Sequence, residues 1–106
     1  MNVKTQDLIG EALDLAVAEC VGLNLYVARL QRFSPSTNWA QGGPIIEREY
    51  ISVCAHLVGR WNAYLPNEKA SLEFLRSGPT PLVAAMRCYV ASKLGEEIDI
   101  NMGELL

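Results

Sequence analysis

Hydrophobic positions along the chain change period several times, and each change predicts an element. Over residues 5–21, TQDLIGEALDLAVAECV, apolar residues recur at Leu8, Ala12, Leu15, Ala16 and Cys20, with Ile9, Leu13 and Val17 widening the stripe. That spacing predicts an amphipathic helix. Thr5 serves as its N-cap, Asp7 suits its positive end, and Gly22 stands where a left-handed C-cap belongs. Residues 24–32 alternate imperfectly, so a strand is expected there with a helix as its rival. Pro35 marks a loop. STNWAQ then predicts one short helical turn, broken by Gly42-Gly43-Pro44, with a new helix over 44–50 that has Pro44 at its first position. ISVCAHLV at 51–58 reads as an apolar strand and RWNAYL at 60–65 as its hairpin partner. Residues 68–76 fit helix or strand equally. Residues 77–95 predict a helix capped by Thr80, opened by Pro81 and closed by Lys93 and Gly95. The acidic tail is expected to be loose, over 96–106 and above all beyond Ile100.

This order predicts an α+β fold: a small antiparallel sheet with N-terminal and C-terminal helices packed on it. No linker divides the 106 residues, so one domain is expected.

The helix over 81–94 is unusual. Its sole charge before the last turn is Arg87, and the rest is apolar or small nearly all round. A helix without a polar face is buried on most sides. A domain this small has difficulty wrapping one helix, so a second copy is expected to complete the cover and the chain to form a homo-oligomer. Arg87 then needs a partner in a nearly dry setting. The choices are an ion pair with Glu47, Glu49 or the acidic tail, or a bound anion held by its guanidinium fork.

Composition narrows the chemistry. The formal net charge is −3, and the closest basic pair is Arg29 with Arg32. A basic stripe for polymeric nucleic acid is missing, whereas a small anion needs only two or three placed cations. Cys20, Cys54 and Cys88 form no CxxC, and His56 is the single histidine. The three thiols are expected as buried small hydrophobes in a reducing compartment, with no metal or cofactor. No apolar leader or membrane-length run is evident, so a cytoplasmic setting is expected.

Catalytic constellations do not assemble. Glu47 and Glu49 diverge by about 200° on a helix and cannot share one bond as acid and base. His56 reads as a core or half-buried imidazole. Gly42-Gly43-Pro44 is no phosphate loop, because no Gly-Lys-Ser/Thr follows. The chain therefore reads as a binding protein rather than an enzyme. Trp39, Arg48 and Arg87 are the first candidate ligand residues, with Arg60 and Trp61 behind them. Aromatics can stack on a base and arginines can hold phosphates, while core packing competes for both tryptophans. Tyr50 and Tyr64 also flank polar stretches.

SPSTNWAQGGPIIERE, followed by GPTPLVAAMRCYVASKLG, resembles a family of small phage and prophage proteins, the NinX-like family. An EALDLAVAE helix is a weaker third point of likeness, and residues 54–76 match less closely. The resemblance implies an accessory protein acting in a bacterial host. Size and architecture are also similar to phage sponge proteins of the Thoeris anti-defence type, which bind cyclic ADP-ribose isomers or cyclic oligonucleotides. This likeness implies sequestration of a small nucleotide-type immune signal. The alternative is inhibition of a host protein by direct contact, and a third reading is a small hydrolase acting on such signals.

Overall fold

The computed structural model describes residues 2–66 and 72–99. Strand β1 (Asn2–Lys4) leads through a 3-10 turn (Thr5–Asp7) into α1 (Gly10–Val21) and α2 (Leu25–Leu30). Then come α3 (Trp39–Glu49), β2 (Ser52–Leu57), β3 (Arg60–Tyr64), β4 (Arg76–Gly78), α4 (Pro81–Leu94) and β5 (Glu97–Asp99). Two small antiparallel sheets result: β1 pairs with β5, and a second sheet has the order β2-β3-β4. The fold is the expected α+β arrangement.

α4 is the axis of the molecule. It packs against α1, α3, the 3-10 turn and all three strands of the larger sheet. Every residue from Leu82 to Ala91 is buried. This explains why the helix has no polar face. It also removes the reason for expecting a second copy to cover it, since one chain wraps it alone. Thr80 caps it as expected, its Oγ1 accepting from Val83 N–H at 3.1 Å, with Pro81 at the first helical position.

Several expectations are corrected. The first helix starts at Gly10 rather than Thr5, because residues 2–4 are drawn into β1 by β5, with Val3 opposite Ile98. Thr5 is buried and does not cap α1. Its N–H and Oγ1 both donate to the carbonyl of Glu96, at 2.9 and 3.2 Å. Residues 97–99 are therefore an ordered strand, while the tail from 100 onward lies outside the described residues. Residues 25–30 are helix rather than strand. The Asn24 side chain accepts from Tyr26 and Val27 N–H at 2.9 and 3.2 Å, a strong start signal that outweighs an imperfect alternation.

The break at Gly42-Gly43-Pro44 does not occur. α3 is one helix capped by Asn38, whose Oδ1 accepts from Ala40 N–H at 2.9 Å. Pro44 removes the donor that would meet the Ala40 carbonyl, but Ala40 and Pro44 are both exposed, so water can serve that oxygen. Gly42 faces inward. A Cβ there would run into the Pro35 carbonyl oxygen and lie 2.7 Å from Leu82 Cδ2, so this glycine sets how closely α3 meets α4.

The hairpin forms where expected, turning at Gly59 with φ +76°. β2 is less buried than its composition implies. Cys54 and His56 are exposed, not core, because β2 lies at the sheet's outer side and α4 shields only its start. Of the ambiguous stretch over 68–76, residues 68–71 lie outside the described residues, and β4 begins at Arg76.

Candidate functional site

The five sequence-predicted residues fall in three places. Arg87 is buried, 8% exposed, and its guanidinium faces main chain: Nε donates to Leu8 O and Nη1 to Ser77 O, both at 2.8 Å. Burial holds its pKa below the usual arginine value, and the nearby Asp7 carboxylate works the other way. Its bonding partners are thus carbonyls, not Glu47, Glu49 or β5. Arg60 is exposed and reaches the other side of the same residue, Nη2 to Ser77 Oγ at 3.3 Å. Trp61 is half-buried against the core, opposite Gly78 in register. Arg60, Trp61 and Arg87 therefore gather around Ser77-Gly78 as part of the frame.

Arg48 stands elsewhere. It bonds Glu49 Oε2 at 3.0 Å and Tyr89 Oη at 3.4 Å, and Lys93 reaches the same Glu49 at 3.4 Å. These charges hold the Glu49 carboxyl below its ordinary pKa, Arg48 contributing most. Arg48 lies nine positions beyond Trp39 on one continuous helix, about 13.5 Å of rise. The two cannot close on one ligand as arms of a broken helix would.

Trp39 stands at a concave surface. It is 57% exposed and walls a hollow of about 230 Å³ with Ser36, Thr37 and the first turn of α4. Thr37 also lines a second hollow, of about 470 Å³, on the far side of the 34–37 segment. That larger hollow lies between α1 and the end of α2, with Asp14, Arg29, Arg32 and Phe33 on its walls. The segment between the hollows is firmly held. Pro35 is fully buried, Ser34 N–H donates to Gln41 Oε1 at 2.6 Å, and Ser36 N–H donates to Asp14 Oδ1 at 2.8 Å.

Two features of the larger hollow stand out energetically. Asp14 is a buried carboxylate, and burial raises its pKa despite the opposing bonds from Ser36. Ser36 Oγ is itself buried without hydrogen-bond geometry to any described partner, although it lies near enough to Asp14 to favour the charged carboxylate. Arg32 has φ +53°, the left-handed region. It occupies the C′ position of α2 in a Schellman arrangement, with Arg32 N–H to Arg29 O at 3.2 Å and Phe33 N–H to Ala28 O at 2.9 Å. Glycine is the usual residue there, as Gly22 is at the end of α1. An arginine at that position costs about 1–2 kcal/mol of backbone strain. Its exposed side chain has no bonded partner among the described residues, whereas Arg29 is paired with Glu11 at 3.0 Å.

Arg29 and Arg32 were visible in the sequence as its closest basic pair. Reading 24–32 as a strand hides their significance, because positions three apart lie on opposite faces of a strand. In the structure Arg29 sits in the last turn of α2 and Arg32 at its C′ position, and both line the larger hollow. Between them the hollows present guanidinium groups, a buried carboxylate and an exposed indole. Such a set can bind a ligand with both anionic and hydrogen-bond-donating parts.

Among the described residues no helix is long and apolar enough to cross a membrane, and none of their His, Cys, Asp and Glu side chains form a group of three or more able to hold a metal ion. No curated protein matches the chain. A family model described as bacteriophage P22, NinX matches residues 4–93, which spans both hollows and all of α1 to α3. The chain belongs to the phage P22 NinX family.

Proposed function

We propose that this phage protein works by binding, without catalysis, and that it sequesters a small nucleotide-type anion on the surface around residues 34–37. The observation that carries this reading is Arg32, held at a strained left-handed position on the wall of the larger hollow, beside Arg29. Backbone strain of this kind clusters at binding sites, and at Arg32 it stands on the wall of a hollow. Arg32 and Arg29 suit phosphate, and Asp14 can accept from base or ribose donors. Trp39, across Thr37, offers a face for stacking. The mixed polarity favours a nucleotide over a bare phosphate. Among the classes raised by the resemblance, cyclic ADP-ribose isomers and cyclic oligonucleotides combine these parts, and their capture would block a host immune signal.

Calorimetry against cyclic ADP-ribose isomers and cyclic di- and trinucleotides tests the reading. Binding to at least one is expected, weakened at least about tenfold by Arg32→Ala and by Trp39→Ala. Release of unchanged ligand on denaturation is expected of a sponge, and a cleaved product would mean hydrolysis. Heat-free titrations across the whole panel would defeat the proposal.

A second reading is inhibition of a host protein. Tyr26 and Leu30, one turn apart on α2, are 70% and 67% exposed. They give an exposed apolar patch for a protein partner. One stoichiometric host protein captured from lysate, and lost with Tyr26→Ser plus Leu30→Ser, would favour it.

A further inference from the structure

The three-stranded sheet has two edges, and the chain treats them differently. At the β4 edge, Ser77 N–H donates to Gln6 Oε1 at 3.1 Å, and Ser77 O accepts from Gln6 Nε2 at 3.0 Å and Arg87 Nη1 at 2.8 Å. The Gln6 amide stands in for a neighbouring strand and closes that edge. At the other edge, no strand pairs beyond β2 among the described residues.

The direction of the open groups follows from the closed edge. Ser77 turns its main-chain groups away from β3, so its register partner Asn62 directs its own toward β2, where it meets Cys54. Alternation then leaves the N–H and C=O of Val53 and Ala55 on the outer side of β2. An exposed strand edge is normally blunted by lysine, proline or inward-pointing charge. SVCAHL has none of these. Its one protective feature is a register irregularity between Ala55 and Leu57, which leaves Ser52 to Ala55 as the pairing length. Beyond it, Leu57 and Val58 form an exposed apolar tip, 63% and 107% exposed.

We infer that the outer edge of β2 pairs antiparallel with β2 of a second copy, joining two three-stranded sheets across a twofold axis. Self-complementarity selects this occupant, and charge permits it: each chain is net negative, but β2 has no Asp, Glu, Lys or Arg, so two copies meet there without opposing like charges. The second copy also brings an edge of the same twist with its own outward groups at Val53 and Ala55. An isologous contact of this kind closes on itself and does not propagate into fibres. This inference is independent of the ligand reading, because β2 lines neither hollow.

Sedimentation velocity on the full chain, up to roughly 100 µM, is expected to show a dimer in reversible exchange with monomer. Ala55→Pro removes one outward N–H and leaves the β2–β3 ladder intact, since proline is tolerated at such an edge position. It should raise the dimer Kd at least about tenfold with an unchanged circular dichroism spectrum. Cys54→Lys, whose exposed side chain meets its own copy at the twofold axis and touches no main-chain bond, should do the same by bringing like charges together, and it decides the matter if the proline variant fails to fold. A wild-type chain that stays monomeric throughout, or a dimer insensitive to both substitutions, overturns the inference.

Discussion

The Arg87 guanidinium donates from Nε to the carbonyl oxygen of Leu8 at 2.8 Å, across 79 residues of sequence. Its Nη1 holds Ser77 O at the same distance, so one side chain of α4 ties the entry to α1 to strand β4. The two oxygens need a fork, and a lysine ammonium has no such geometry. Arg87→Lys is expected to lose about 2 kcal/mol of stability in urea denaturation, and Arg87→Met about 3 kcal/mol, since two carbonyls then lose charged partners. Equal stability of Arg87→Met and wild type would show that the clamp contributes nothing.

Adjacent glycines in α3 are expected to respond with opposite signs. Gly42→Ala places a methyl group against the Pro35 carbonyl oxygen and Leu82 Cδ2, and backbone is a poor neighbour to displace. A loss of roughly 1–3 kcal/mol follows from overpacking. Gly43 has nothing nearer than Trp39 Cε3 at 3.9 Å. Gly43→Ala should therefore gain about 0.5–1 kcal/mol from helix propensity alone. Thermal melts of the two variants side by side test how tightly α3 meets α4.

The three thiols should separate by reactivity. Cys88 is buried and its pKa is pushed up to about 12; burial likewise lifts Cys20 to about 11, helped by Glu19. Neither supplies much thiolate near neutral pH. Cys54 is exposed. One thiol per chain should label rapidly with maleimide in native protein, and all three after denaturation. Peptide mapping that places the fast label on Cys88 would contradict the packing of α4.

Asp14 gives a pH signature. Its folded-state pKa is raised, burial being the main cause, so the folded chain binds the proton more tightly than the unfolded one. Its contribution to stability is greatest below the unfolded carboxyl value and is lost as pH rises through the raised folded value. Asp14→Asn keeps an acceptor for Ser36 N–H and removes this titration. The stability difference between variant and wild type should therefore move in favour of the variant as pH climbs from about 3 to about 7. Parallel pH profiles of the two proteins would show that Asp14 titrates as an ordinary surface carboxyl.

Much of this fold is legible where a local signal and the tertiary context agree. Thr80-Pro81 opens α4, Gly22 ends α1 and Gly59 turns the hairpin, each by backbone chemistry that acts over a few residues. The misread segments depend on distant partners. Thr5 looks like a helix cap until β5 captures residues 2–4, and the arginine of α4 looks ligand-bound until Leu8 and Ser77 arrive from either side. Pro44 looks like a break because its lost bond is costly only where water cannot reach the orphaned carbonyl. At the site, Trp39 is legible as an aromatic ligand candidate beside a polar stretch, and the Arg29–Arg32 pair is visible, but the imperfect alternation over 24–32 suggests a strand. Asn24, the cap of α2, is the sequence cue that points to a helix instead.

Arg32 offers the sharpest test of the candidate site, because stability and binding should move in opposite directions. Replacing a left-handed arginine with glycine relieves backbone strain while widening the unfolded ensemble, for a net gain of about 0.5–1 kcal/mol. Arg32→Gly should therefore melt higher than wild type, yet bind a nucleotide-type ligand at least about tenfold more weakly. Tyr50 supplies the control. It too is left-handed, at φ +56°, in the same arrangement at the end of α3, and it is absent from both hollows. Tyr50→Gly should raise the melting temperature similarly and leave binding unchanged. If both variants gain stability and both keep affinity, the strain at Arg32 has no part in ligand capture, and the larger hollow loses its best argument.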